Sequence, residues 1–136
     1  MIKNVWSVLC ERIVIDKDTN LASYLTCIEE ITGHQLPAKY PFLSLGSLWQ
    51  TDEPKKDTLQ FKLCLVSPDG SEQKLLETEE VVLEKERHRT NIVLNGIAFK
   101  VAGEYCFRVQ QRSGGKWITV SEIPLKVNYK PGSDTA

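Results

Sequence analysis

A glycine followed by regular alternation of apolar and polar residues is the most constraining pattern in the sequence, and it covers residues 101–110, V-A-G-E-Y-C-F-R-V-Q. Tyr105, Phe107 and Val109 share one parity, and side chains two residues apart along a strand lie on the same face. The pattern therefore predicts a half-buried strand entered through a tight turn at Gly103. Tyr105 is also placed to make a tyrosine-corner hydrogen bond to the backbone upstream.

Similar alternation recurs along the chain between turn-forming residues. It is clearest at residues 59–65, where leucine or phenylalanine occupies every second position, and this segment is predicted to be a central strand. The sequences P-D-G at 68–70 and S-G-G at 113–115 supply the proline and glycine that tight turns prefer. The other predicted strands are residues 4–15, 21–31, 42–49, 72–86 (one or two edge strands), 89–94, 97–101 and 117–127.

The first predicted strand, residues 4–15, changes its apolar parity partway along. Trp6, Val8 and Cys10 have one parity, whereas the isoleucines that follow have the other. The change predicts a bulge or bend near Glu11 and Arg12.

The next two segments lead from this strand to the rest of the domain. Residues 21–31 fit a second strand, although three of their apolar residues also have helical spacing, and both alternatives stay open. Residues 32–41 contain Gly33, Pro37 and Pro41, which predict a connection that carries the chain from one sheet to the other.

Short strands at intervals of about ten residues predict an all-β fold. We expect an antiparallel two-sheet β-sandwich, immunoglobulin-like, with about seven to eight strands, and a small barrel is the alternative. Residues 1–128 form a single domain in this interpretation, and residues 129–136 form a mobile C-terminal tail because they lack an apolar pattern.

Composition argues against several classes of partner. The chain has 17 Lys and Arg residues against 18 Asp and Glu residues, with no segment basic enough to neutralise a run of phosphates, so nucleic acid is not an expected partner. The apolar runs fall far short of the roughly 20 residues of a membrane-spanning helix, so no membrane association is expected. The N-terminal residues do not resemble a signal peptide, and we expect a cytoplasmic location.

The four cysteines, Cys10, Cys27, Cys64 and Cys106, predict reduced thiols and no metal site. Parity places Cys64 and Cys106 on the opposite face from their apolar neighbours, which argues against an inter-sheet disulfide. No pair has the C-x-x-C spacing typical of zinc or redox sites.

Asp16, Asp18 and Asn20 match the first side-chain ligands of a calcium-binding EF-hand loop. The rest of that loop does not match, because Leu21 replaces the required glycine and Cys27 replaces the closing glutamate. A hairpin turn in which Asp and Asn bind their own backbone is the favoured interpretation.

The densest basic segment is Arg87-His88-Arg89, which has the charge to bind a phosphate or carboxylate. With His34 it forms the tentative ligand or partner surface. The favoured alternative is cross-strand pairing of the arginines with the preceding glutamates on a solvated face. Those glutamates are Glu77, Glu79, Glu80, Glu84 and Glu86.

Neither histidine lies in a recognisable nucleophile or metalloprotease motif, and the chain has no glycine-rich phosphate loop. We therefore predict no catalytic residues, no cofactor and no enzymatic activity. Among the tryptophans, Trp6, Trp49 and Trp117, at least two are expected in the core.

Three stretches together resemble a family of small uncharacterised bacterial proteins, known as a domain of unknown function. They are C-E-R-I-V-I-D-K-D-T-N-L-A-S-Y-L-T-C-I-E-E-I (10–31), F-L-S-L-G-S-L-W (42–49) and G-E-Y-C-F-R-V (103–109). The resemblance covers most of the chain. It implies bacterial origin and a sandwich fold, and it supplies no catalytic or binding residues.

The sequence thus predicts a non-enzymatic binding or assembly module that acts through protein–protein contacts, either with a partner protein or by self-association. The alternative is a small-ligand or anion-binding protein, possibly a weak enzyme, with a cleft near Arg87, His88, Arg89 and the His34 loop.

Overall fold

The computed structural model describes residues 1–132, and every regular element in this part of the chain is a β-strand. The strands are β1 (Ile2–Ile15), β2 (Ala22–Cys27), β3 (Glu30–Gly33), β4 (Ala38–Thr51), β5 (Thr58–Leu59), β6 (Phe61–Val66), β7 (Glu72–Glu77), β8 (Val81–Val82), β9 (Arg87–Phe99), β10 (Gly103–Ser113) and β11 (Lys116–Tyr129).

The strands form two main sheets, which confirms the predicted all-β sandwich. The front sheet has the order β2-β1-β4-β9, and the back sheet has the order β3-β11-β10-β6-β7. The short strands β5 and β8 pair with each other. All pairs are antiparallel except β3 with β11, a parallel pair that the antiparallel prediction did not include. The immunoglobulin-like topology stays a prediction.

The core lies between the two sheets and contains the residues that alternation selected. Along residues 59–65 every second side chain is at most 4% exposed, and Phe107 and Val109 are fully buried. The largest fully buried side chains include Trp49, Phe99, Phe107, Leu9, Leu43, Leu45, Leu63, Leu83 and Leu125. The period-two prediction for β6 and β10 is therefore confirmed.

Residues 21–31 do not form one continuous element. They contribute β2 to the front sheet and the start of β3 to the back sheet, with a break at Ile28 and Glu29. Ile28 is buried, and its backbone N–H donates to the carbonyl of Leu9, so the chain turns inward there. The strand alternative was correct in type, and the prediction of a single strand was wrong.

The connection predicted within residues 32–41 does carry the chain between sheets, since β3 ends at Gly33 in the back sheet and β4 begins at Ala38 in the front sheet. Residues 89–94 and 97–101 were predicted as separate strands. Most of both segments belongs to the single strand β9, which ends at Phe99 and keeps one register with β4 along its length.

Tyr105 makes the predicted hydrogen bond. Its hydroxyl donates to the carbonyl of Val101 at 2.7 Å and accepts from the N–H of the same residue at 3.3 Å. The prediction that at least two tryptophans lie in the core was wrong. Trp49 is fully buried, whereas Trp6 is 38% exposed and Trp117 is half-buried on the outer face beneath the ammonium of Lys62.

The C-terminal prediction concerns residues 129–136. Tyr129 belongs to β11 and pairs with Gly33, and the N–H of Lys130 donates to the Gly33 carbonyl. Residues 133–136 lie outside the described residues.

No helix within residues 1–132 has the length and apolar character to cross a membrane.

Candidate functional site

The distal part of the β1–β2 hairpin, residues 11–26, does not pair with β4 and is called the flap. β1 pairs with β4 only as far as Cys10, which lies opposite Ser44, and beyond that point it pairs with β2 alone. A bulge or bend was predicted near Glu11 and Arg12, but β1 keeps one register with β2 through these residues. The register shift in β1 lies between Asn4 and Trp6, where it pairs with β4.

The flap covers the outer face of β4. Ser44 and Gly46 alternate with the core residues Leu43 and Leu45, so they face away from the interior, yet both are buried. The ring of Tyr24 packs directly on Gly46, where a β-carbon would overlap its Cε1 atom. Glycine at this position therefore lets the flap approach the sheet closely.

Three further contacts attach the flap to the sheet. The ring of Tyr24 meets that of Trp6 edge to face, with centroids 5.2 Å apart. The guanidinium of Arg89 donates to the carbonyl of Asn20 at 3.1 Å. The hydroxyl of Tyr40 donates to the carboxylate of Glu11 at 2.6 Å, and this hydrogen bond raises the pKa of Tyr40 to about 12.

The hydroxyl of Tyr24 is buried beneath the flap and has no hydrogen-bond partner among the described residues. Burial raises the pKa of Tyr24, and the nearby Arg89 partly opposes the shift. A buried polar atom without a hydrogen-bond partner destabilises the folded state. The Tyr24 hydroxyl therefore offsets part of the free energy that packing of the flap contributes.

Between the flap and β9 lies an open apolar cleft of about 530 Å³. Ile13 and Ile15 line it on the flap side, while Phe42 and Val93 line it on the sheet side. Phe42 is 68% exposed and Val93 is 67% exposed, so two large apolar side chains of the front sheet face solvent. Exposed apolar groups beside each other are typical of interaction surfaces.

The strand β9 is the longest edge strand among the described residues. It spans 13 residues and pairs with β4 on one side, while its other side has no strand partner within residues 1–132. Residues 90–99, T-N-I-V-L-N-G-I-A-F, carry no charge. An edge of this kind exposes backbone N–H and C=O groups that another strand can pair with.

The other edge strands are shorter or charged. β3 has four residues, and β2 has six. β7 also has six residues, which include Glu72, Lys74 and Glu77. Such features discourage strand addition, so β9 is the edge best suited to pairing.

Arg87, His88 and Arg89 do not converge on one site. They follow one another along β9, so their side chains alternate between the two faces of the sheet. Arg89 contacts the flap on the outer face, whereas His88 lies opposite the buried Trp49. Burial lowers the pKa of His88 below its ordinary value of 6.5.

His34 lies far from this segment. It is exposed in the β3–β4 loop, where Nδ1 is 3.2 Å from the carbonyl oxygen of Lys130, and it lines a separate cleft of about 850 Å³. The loop precedes Ala38 at one end of β4, while His88 pairs with Trp49 near the other end. Ala38 and Trp49 are eleven positions apart along β4, which corresponds to a distance of roughly 35 Å.

The predicted pairing of the basic segment with glutamates does not occur among residues 1–132. The ion pairs between side chains in this part of the chain join Lys74 to Glu77 and Arg108 to both Glu72 and Glu122. Arg87 and Arg89 are absent from them. Asp16, in contrast, accepts hydrogen bonds from the N–H groups of Thr19 and Asp18, which lower the pKa of Asp16 and confirm the Asp16 part of the predicted turn.

All four cysteines are free thiols. Cys64 and Cys106 alternate with core residues, as predicted, but Cys64 is only 2% exposed. Its strand neighbour Arg108 forms an ion pair with Glu72. Burial is the main cause that raises the pKa of Cys64, and the nearby Glu72 raises it further. Cys10 and Cys27 lie directly opposite each other in the β1–β2 pair.

The surface around Phe42 and Val93 was not identified from the sequence. Phe42 was assigned only to a predicted strand, and Val93 lies within the segment 89–94. Phe42 differs in parity from Leu43 and Leu45, which was the available signal that it faces outward.

The model of a family of unknown function matches residues 5–128. No curated protein matches the sequence.

Proposed function

The chain belongs to the family of unknown function DUF6941, and we propose that it is a non-enzymatic binding and assembly module that acts through protein–protein contacts. Its interface is the β9 surface, defined as the free edge of β9 along residues 90–95 together with the side chains of Phe42 and Val93.

The single observation that carries this proposal is the long edge of β9, which is uncharged over residues 90–99, has no strand partner within residues 1–132 and lies beside exposed apolar side chains. An extended segment of a partner adds to such an edge through main-chain hydrogen bonds. Its alternate side chains then contact Val93 and Phe42 on the outer face, where burial of apolar area adds affinity. The flap borders this surface and limits the side chains that fit.

The alternative, a small-ligand or anion site at Arg87, His88 and Arg89, has less support. The three side chains alternate between faces, and His34 lies at the opposite end of β4.

We further propose that the protein is located in a bacterial cytoplasm. The four free thiols support this location, because free thiols are typical of a reducing compartment.

Paired valine variants test the proposed interface. Val93→Lys places a charge on the β9 surface, and Val81→Lys makes the same change at an exposed valine of β8, which is 47% exposed. Tagged wild-type protein and both variants are incubated with lysate of the source organism and with an untagged copy of the chain. We expect a protein that binds the wild type and Val81→Lys and is lost from Val93→Lys. Equal recovery by all three baits, or no binding to the wild type, would overturn the proposal.

A further inference from the structure

We propose that the partner of β9 is a second copy of this chain, joined by antiparallel pairing of two β9 strands around a twofold axis at Val93. This inference rests on the proposed function, because it identifies the protein that occupies the edge.

Strand geometry restricts where such an axis can lie. Residues directly opposite each other in a sheet point to the same face, so outward residues of one copy must oppose outward residues of the other. In β9 the outward residues are Asn91, Val93 and Asn95, while Ile92 and Leu94 point inward. A twofold axis must therefore pass through a residue and not between two residues.

An axis at Val93 places residues of the same type opposite each other in the two copies. It places Val93 against its own copy, Asn91 against Asn95 of the second copy, and Ile92 against Leu94 of the second copy, because the sequence N-I-V-L-N is symmetric in residue type about Val93. Asparagine amides supply both a donor and an acceptor, so the outer Asn pairs can hydrogen-bond across the junction. An axis at residue 92 or 94 instead places Val93 opposite an asparagine.

Charge complementarity supports the same axis. Glu86 and Lys100 flank β9, seven residues before and seven residues after Val93, so opposite charges lie near each other at both ends of the paired strands. Arg87 faces Phe99 and Arg89 faces Ile97 in this register, and no like charges meet between residues 86 and 100. Opposite charges across a strand pair stabilise it, whereas like charges destabilise it.

The pairing joins the two four-stranded front sheets into one continuous sheet with β9 at its centre. Val93, which is 67% exposed in the single chain, becomes covered by its counterpart at the axis. The backbone N–H and C=O groups at the free edge of β9 are then hydrogen-bonded to the second copy. The assembly is closed, since a twofold contact uses the same surface on both copies.

Light scattering over a wide range of protein concentration tests the dimer. We expect a species of twice the 15.4 kDa chain mass for the wild type and for Val81→Lys. Val93→Lys places two ammonium groups against each other at the axis and should raise the dissociation constant by at least about tenfold. Circular dichroism checks that each variant is folded. A wild type that stays monomeric at every concentration would overturn the inference.

Cysteine cross-linking tests the register. In a Cys27→Ser background, which removes the exposed native thiol, Val93→Cys and Asn95→Cys each place one thiol on the outer face. We expect mild oxidation with diamide to link two copies of Val93→Cys, because that position opposes itself. Asn95→Cys should not link, because position 95 opposes residue 91. Equal linkage at both positions would contradict the Val93 axis.

The two proposals fail separately. If the wild type is monomeric but a different protein binds in a Val93-dependent manner, the second copy is excluded and the β9 surface stays the interface. If neither a second copy nor another protein depends on Val93, both proposals are wrong.

Discussion

The ring of Tyr24 occupies the space above Gly46 that a side chain would need, so the flap touches the backbone of the front sheet directly. Gly46 is buried although it faces outward, because the flap forms a partial third layer over β4. This contact positions the isoleucines that border the β9 surface.

Gly46→Ala should therefore destabilise the protein. The added methyl group overlaps Tyr24, and overpacking of this kind typically costs about 1–3 kcal/mol. Urea denaturation measures the change. A double-mutant cycle with Tyr24→Leu supplies the control, since the cost of Gly46→Ala should fall when the ring is absent. An unchanged unfolding midpoint for Gly46→Ala would contradict the packing.

Tyr105→Phe tests the hydrogen bond to Val101. The substitution removes a half-buried hydroxyl that both donates to and accepts from the backbone, and it should lower the free energy of unfolding by about 1–2 kcal/mol. Tyr129→Phe is the comparison, because Tyr129 is 44% exposed and should tolerate the change. Equal effects of the two variants would argue against a specific role for Tyr105.

The partly buried His88 should make the folded protein less stable at acidic pH. Burial lowers the pKa of His88 in the folded state, so the unfolded chain binds the proton more tightly. The resulting stability is present above pH 6.5 and is lost as the pH falls through the lower pKa of the folded state. Denaturation at a series of pH values should show that His88→Gln weakens this dependence. Identical pH profiles for the wild type and His88→Gln would contradict it.

Oxidation should link one pair of cysteines in preference to the others. Cys10 opposes Cys27, and the Cα atoms of such pairs lie about 4.5 to 5.5 Å apart, which suits a disulfide. Cys64 and Cys106 are offset by two residues, at about 7 to 8 Å, which is too far. Diamide takes up the two thiol hydrogens as the bond forms. Peptide mapping should find the Cys10–Cys27 link in the wild type and in Cys64→Ser, but not in Cys27→Ser. A Cys64–Cys106 link would be contrary to the register.

Local periodicity predicted the strands of the core well, because burial of one face imposes a period of two on the sequence itself. Residues 59–65 and Tyr105, Phe107 and Val109 show this directly. The bulge or bend predicted near Glu11 and Arg12 was misplaced, because the register shift of β1 lies between Asn4 and Trp6.

Features set by tertiary packing were harder to predict. The flap lies over Gly46 through contacts between segments about 20 residues apart, and no local pattern encodes them. Likewise, the sequence did not show that His34 and Arg87 lie toward opposite ends of β4, because distance along a strand depends on the register of its neighbours. The break at Ile28 was hidden by apolar residues that fit a strand on both sides.

The parallel pairing of β3 with β11 has a consequence for synthesis of the protein. Glu30 of β3 pairs with Lys126 of β11, 96 residues later (126 minus 30). During translation β3 leaves the ribosome long before its partner exists, and β10 also waits for β11 to cover its second side. The back sheet therefore closes only after the last strand is made, and until then nascent chains expose strand edges that chaperones or aggregation compete for.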